Sequence, residues 1–356
     1  MNLNKALPFF NRVSTSDKSL LARQLATMLS AGLAIDQSFK ILATQSKNSV
    51  LKTAYAGIIA DLEQGQSLAQ ALSRHGNIFD PVFIAIIRSG ESTGKLDVVL
   101  DQLATRLELS QEFNSKIKAA MYYPVFVLLT MVVIIFLMMI YIIPSLQSVF
   151  TENNIVLPLS TRIIMAMSNF TVKFWWLEII VIIALGIGFY FFFHSKNGGS
   201  LWDRMKIKIP ILNNLFILIY MSRFCRTVSM LTTAGVPIIE TIAITSDVIQ
   251  NRVYSQKLKN VTAQVERGIP MSVPIQREPA LFPPMVSEMI LVGEQTGKMG
   301  QILNRLAEYY EKESDTTIKA LSSLIEPALI VVIGAGVGFL VFSVIMPIYS
   351  IAQTGF

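Results

Sequence analysis

One cysteine and two histidines are all the thiol and imidazole in the 356 residues. Cys225 alone cannot close an intrachain disulfide, and a cysteine-based metal site would need other ligands. A Ser/His or Cys/His nucleophile needs a base within reach, and the histidines lie in unrelated contexts. His75 follows Arg74 at a helix end, and His194 lies at the edge of an apolar run. Cys225 sits on an apolar helix and reads as core. Carboxylates are scattered, without metal-ligand spacing. No catalytic residue, cofactor or metal site is therefore expected.

Charge is scarce as well. Asp, Glu, Lys and Arg make up 15 % of the chain, against roughly 25 % in an average soluble protein. Hydrophobic residues make up 52 %, and the mean hydropathy is +0.52. These values indicate a membrane protein with sizeable soluble parts. The net charge of +6 is modest. Its cations gather at membrane flanks rather than in a nucleic-acid module, so no nucleic acid is expected. No stretch alternates with period two for more than a few residues, which excludes a β architecture and predicts an all-α protein.

What the chain does have is an internal repeat. Gly90-Glu91-Ser92-Thr93-Gly94-Lys95 returns as Gly293-Glu294-Gln295-Thr296-Gly297-Lys298, shifted by 203 residues. The same ungapped shift maps Arg23 on Arg226, Ala31-Gly32 on Ala234-Gly235, and Glu63 and Gly65 on Glu266 and Gly268. It also maps Phe79 and Pro81 on Phe282 and Pro284, Pro124 on Pro327, and Pro144 on Pro347. A unit of this length is a domain rather than a solenoid repeat.

Taken in order, residues 1–17 form an N-terminal arm. It has no apolar run of signal-peptide length, so the first domain is expected to stay where it was made. Residues 18–120 read as a helical domain of about six short helices. Leu21, Leu25, Met28 and Leu29 recur at helical spacing. Gly32 and Gly65 are turn positions, as are Gly235 and Gly268 in the second copy. Asp80-Pro81 opens a helix. After Gly94 a long helix follows, with Leu96, Leu100, Leu103 and Leu107 on one side.

Residues 121–143 carry no charge and would extend about 34 Å as a helix, enough to cross a bilayer. Pro124 marks a tolerable kink near its entry, and Pro327 is its image. A loop at 144–173 leads to a second span, 174–193. Trp175-Trp176 and Tyr190 sit at its two ends as interfacial aromatics do, and Glu178 falls near the tryptophan end. Residues 194–323 form the second domain, opening with Lys196, Arg204, Lys206 and Lys208. The third span is 324–346, where Gly334 and Gly338 make a pair suited to close helix packing. A tail at 347–356 ends the chain. Of the 30 basic residues, 13 precede the first span, 15 lie in the second domain and two in the 144–173 loop. The positive-inside rule then puts both domains in the cytoplasm and the loop and C-terminus outside.

The signature itself is not a P-loop. Three residues rather than four separate its glycines, and Leu96 or Met299 follows the lysine instead of Ser or Thr. Two readings stay open. In the structural one it is a helix–turn–helix corner: Gly90 and Gly94 allow tight backbone geometry, Thr93 caps the helix after Lys95, and Glu91 pairs with Lys95. In the functional one it is a partner-docking corner, involving Glu91, Lys95, Glu294 and Lys298 with Thr296 and the glycines Gly293 and Gly297.

Helical domains with Ala-Gly after the first helix and Gly-Glu-x-Thr-Gly-Lys before the last, each followed by a Pro-containing span and repeated around an extra middle span, resemble a known family. It is the inner-membrane platform protein, the F protein, of type II secretion systems and type IV pilus assembly machines. The resemblance covers about residues 18–350, although many members carry a longer extension before the first repeat. It implies a non-enzymatic platform in the bacterial inner membrane, usually a homodimer or higher homo-oligomer. Its implied partners are a cytoplasmic hexameric ATPase, pilin or pseudopilin subunits and other inner-membrane assembly proteins. The competing reading is a small membrane transporter or channel with Glu178 and the span-three glycines along a pathway. Only three spans exist, and spans one and three carry almost no polar side chains, which counts against it.

Overall fold

In a computed structural model of the chain, the described residues are 13–145, 147, 159–195, 198–199, 202–203, 205–206 and 209–354. Most of the N-terminal arm, the middle of the 144–173 loop, and Lys196, Arg204 and Lys208 lie outside them. The described residues are helical and contain no strand.

The first repeat builds α1 (Thr15–Ser30), α2 (Ile35–Gln45), α3 (Ser49–Glu63), α4 (Leu68–Ser73), α5 (Pro81–Thr93) and α6 (Leu96–Leu137). A π-helical turn, Met138–Ile142, continues α6. Then come α7 (Leu159–His194) and the second repeat: α8 (Pro210–Thr233), α9 (Ile238–Val248), α10 (Arg252–Val265), α11 (Ser272–Gln276), α12 (Pro284–Thr296) and α13 (Met299–Thr354). Shifted by 203, α2 falls on α9 and α5 on α12 residue for residue.

Helix starts are chemically marked. Ser14 and Asp17 form a reciprocal capping box, which moves the start of α1 a few residues ahead of Lys18. Asn48 accepts the N–H groups of Val50 and Leu51, and its image Asn251 accepts those of Val253 and Tyr254. Asp80 caps α5, whose first residue is Pro81.

The chain divides into two compact units. The first takes Met1–Lys116 and Asp203–Asp315, and so holds both bundles. Its first core gathers Leu21, Leu25, Phe39, Ile58, Phe79, Phe83, Leu100 and Leu103, all nearly or fully excluded from solvent. Burying each such side chain stabilises the fold by about 1.5–3 kcal/mol. Leu100 and Leu103 are buried, and Leu96 and Leu107 lean on the same core, as the leucine spacing predicted. The second core centres on Phe224, Cys225, Tyr254, Phe282, Ile290 and Leu303. Burial pushes the Cys225 thiol well above its ordinary pKa, as befits an inert core residue. Leu231 and Val236 of the second repeat complete the core of the first, so the two bundles share a boundary.

The second unit takes Ile117–Trp202 and Thr316–Phe356. Among the described residues, four helical stretches are long and apolar enough to cross a membrane: Leu96–Ser145, Thr161–Phe189, Asn213–Thr233 and Met299–Phe339. Within the most apolar part of each, at most 11 % is buried in three of them, against 61 % in 213–233. That fourth stretch is α8, the image of α1, and its apolarity is consumed by the bundle core. Three exposed apolar helices remain.

Several boundaries differ from expectation. Residues 159–173 are helical and join the second span in one helix. Its break at Phe174 (φ −126°, ψ 23°) falls where the span was expected to begin. Across that break Thr171 donates to Glu178 at 3.0 Å. The tail is helical to Thr354. Pro124 and Pro327 lie inside continuous helices. The departures from α geometry are at Phe174 and in the π turn, where the Met139 carbonyl accepts a hydrogen bond from Ser168. A proline inside a spanning helix is tolerated where neighbouring helices and local adjustment re-satisfy the freed backbone groups. Gly334 and Gly338 have open space where a side chain would stand. Gly336 between them is the one that faces Met131.

Candidate functional site: the corner used twice

In each signature the two glycines do different work. Gly94 ends α5 in the left-handed region at φ +65°, and Gly297 ends α12 at φ +67°. The Gly94 N–H bonds back to the Glu91 carbonyl and the Lys95 N–H to the Gly90 carbonyl, which is a Schellman closure. Gly90 permits close approach. A Cβ there would run into the Val99 side chain and stand 3.2 Å from Leu96 Cα. A Cβ on Gly293 would stand 3.1 Å from Met299 Cα. The other expected turn glycines, Gly32, Gly65, Gly235 and Gly268, all have φ between +80° and +85°.

The glutamate points inward. Glu91 accepts the backbone N–H groups of Leu68 and Ala69, the latter at 2.9 Å. Glu294 accepts those of Met271 and Ser272, together with the Ser272 hydroxyl. Each carboxylate thus supplies acceptors to the unsatisfied start of α4 or α11, where the helix dipole also favours negative charge. It does not pair with the lysine four residues on. Thr93 does not cap α6 either. Its hydroxyl donates to the Ser89 and Gly90 carbonyls of its own helix, as Thr296 donates to Val292. Lys95 and Lys298 are exposed. The corner is therefore a structural clamp whose thr-gly-lys edge faces solvent.

A second repeated network escaped the sequence reading. The Arg23 guanidinium grips Glu108 through Nε (3.1 Å) and Nη2 (2.8 Å) and also reaches Asp101 and Thr105. Its image Arg226 grips Glu311 at 3.0 and 2.6 Å and reaches Asn304. Such forks tie the first helix of each bundle to the last. Hydrogen bonding to Arg23 holds the Glu108 carboxyl below its ordinary pKa, and the same contact raises that of Arg23. The shared offset of 203 carries Glu108 onto Glu311 and Asn48 onto Asn251, so the identity of both pairs was available to find them.

The two bundles meet through α5 and α6 of the first and α8 and α9 of the second. Arg88 pairs with Glu240 at 3.1 Å, and the Ser89 hydroxyl donates to the Ala234 carbonyl. Arg106 donates to the Arg226 carbonyl at 3.0 Å and the Thr227 hydroxyl at 3.1 Å. Burial, and then the neighbouring charge of Arg226, lower the Arg106 pKa to about 10. Among the described residues no three His, Cys, Asp or Glu side chains cluster as metal ligands do.

The doubled corner, the doubled arginine fork and three exposed apolar helices coincide with a doubled family match. The family described as type II secretion system (T2SS), protein F, matches residues 21–144 and again 224–347. The chain belongs to this family. Both matched segments are separated by the 203-residue shift. The chain is 33 % identical over 338 residues to the type IV pilus assembly protein PilC of Thermus thermophilus, covering 95 % of this chain and 83 % of that one. It is 31 % identical over 345 residues to PilC of Pseudomonas aeruginosa, covering 96 % and 91 %. With the type II secretion system protein F of the same organism it shares 30 % over 347 residues, covering 98 % and 85 %. Family membership and the apolar helices make this an inner-membrane protein of the pilus-assembly and secretion class.

Proposed function

We propose that the chain is the inner-membrane platform of a type IV pilus or type II secretion machine. In this reading it couples a cytoplasmic hexameric ATPase to the assembly of pilin or pseudopilin subunits, performs no chemistry itself and works as a homo-oligomer beside other inner-membrane assembly proteins. The observation that carries the reading is the doubled family match at residues 21–144 and 224–347, with relatives named for both machines.

The helices are suited to passing on motion. α6 starts among the buried leucines of the first bundle and continues without a break into apolar sequence, and α13 repeats the arrangement. The distribution of lysine and arginine supports both bundles in the cytoplasm, where an ATPase would meet them.

The test is to purify the full chain in detergent and assay it with and without the secretion-type ATPase of its own organism. The reading expects no nucleotide turnover by the chain alone and retention of the ATPase on the immobilised chain. Turnover by the chain alone, or no retention, contradicts it.

A further inference from the structure

The contact between the bundles is head-to-tail. The first bundle offers Arg88, Ser89 and Arg106. The second offers the corner where α8 turns into α9, with Ala234, Glu240 and Thr227. Because the bundles are copies, each also carries the face its sibling uses. The images of Arg88, Ser89 and Arg106 are Leu291, Val292 and Tyr309. The images of Ala234, Glu240 and Thr227 are Ala31, Gln37 and Gln24. Among the described residues no hydrogen bond or ion pair joins these two faces. Leu291, Val292 and Tyr309 are 44 %, 40 % and 45 % exposed, and Ala31 and Gln37 are exposed as well.

The free faces have changed in step. Where Arg88 faces Glu240, the images are Leu291 and Gln37, so cation and carboxylate are lost together. Where the Ser89 hydroxyl reaches Ala234, Val292 now stands opposite Ala31. All three polar residues of the docking face have become large apolar or aromatic ones, left in water. Met285, 43 % exposed, lies on the same helix. Grouped apolar exposure of this kind marks an interaction surface.

We propose that this α12 face docks on the α1–α2 corner of a second copy of the chain, repeating between molecules the contact that α5 makes with α8 and α9 within one. A second copy is the occupant because its free corner is built like the one that receives α5, down to the Ala-Gly turn at Gly32 and Gly235, and because Gln37 lacks the charge that Leu291 could not pair. Each chain offers one face of each kind, so every contact joins two chains head-to-tail. The proposal refines the self-association in the platform reading and is independent of its ATPase and pilin parts.

The test is a charge swap in the full chain in detergent, read as the self-association constant by sedimentation. Leu291→Arg is expected to weaken self-association at least tenfold. Adding Gln37→Glu recreates the Arg88–Glu240 pair and is expected to recover most of the loss. In a parallel experiment, chains carrying only Val292→Cys are mixed with chains carrying only Ala31→Cys, and a mixed disulfide dimer is expected on oxidation. Both positions are exposed, so unchanged thermal unfolding serves as the folding control. Undiminished self-association in Leu291→Arg together with no mixed dimer refutes this surface while leaving the platform reading intact. A monomeric wild-type chain, or an α12 face that retains only a different protein, overturns the proposal.

Discussion

The Glu91 carboxylate accepts the Ala69 N–H at 2.9 Å, and 203 residues later Glu294 does the same for Ser272. A residue in one helix thereby closes the open start of another, and the fold does it twice. Glu91→Ala leaves two amides at the start of α4 without their acceptor. The expected loss is about 1–2 kcal/mol of stability, in line with the removal of a helix cap. Urea unfolding of the purified chain, followed by far-UV circular dichroism, checks it. Glu294→Ala should cost more than Glu91→Ala, since Glu294 also holds the Ser272 hydroxyl.

The signature glycines should respond differently to substitution. Gly94→Asn is expected to be mild, because asparagine tolerates the left-handed region, while Gly94→Val should destabilise by at least ~1–2 kcal/mol. Gly90→Ala should be worse than Gly94→Asn, because its methyl meets Val99 and the Leu96 backbone. Melting temperatures of the three variants give the order. Equal effects of Gly90→Ala and Gly94→Asn would contradict the assigned roles.

Much of this was legible in sequence. The offset located both corners, helical spacing gave the Leu100 and Leu103 face, and the long apolar runs pointed to the exposed apolar helices. The direction of Glu91 was not legible. A carboxylate four residues before a lysine reads as a surface pair, and only the tertiary fold brings the α4 amides, 22 and 23 residues away, to it. The irregularity at Met138–Ile142 has no local marker and became visible through Ser168, 29 residues from Met139. The contact between the bundles was hidden for a similar reason. Arg88 and Glu240 are 152 residues apart, and neither is shared by the repeats.

The Arg23–Glu108 fork carries a pH dependence of known sign. The folded pKa of Glu108 is depressed by its hydrogen bond to Arg23. The stability it adds is therefore present above the ordinary glutamate pKa and is lost as pH falls through the folded value. Glu108 is about half exposed, so the effect is a few tenths of a kcal/mol. Glu108→Gln should flatten the acid limb of stability against pH, measured by urea midpoints at successive pH values. An unchanged acid limb would show that the fork contributes nothing.

Both bundles should be reached from the same side of the membrane. Ala60 and Asn260 lie on the exposed faces of α3 and α10, and Cys225 is buried, so background thiol labelling is low. Ala60→Cys and Asn260→Cys are expected to resist an impermeant maleimide in intact cells and to label after the cells are opened. Labelling of one position in intact cells and not the other would place the repeats on opposite faces.

The central claim is that this chain lets another molecule's work build a filament. The most direct measurement is deletion of its gene in its own organism with the ATPase and subunit genes left in place, read as surface filaments or secreted protein. The account predicts that filaments or secretion disappear, that unassembled subunits accumulate in the inner membrane, and that the gene supplied in trans restores assembly. Normal filaments and normal secretion in the deletion strain would contradict it.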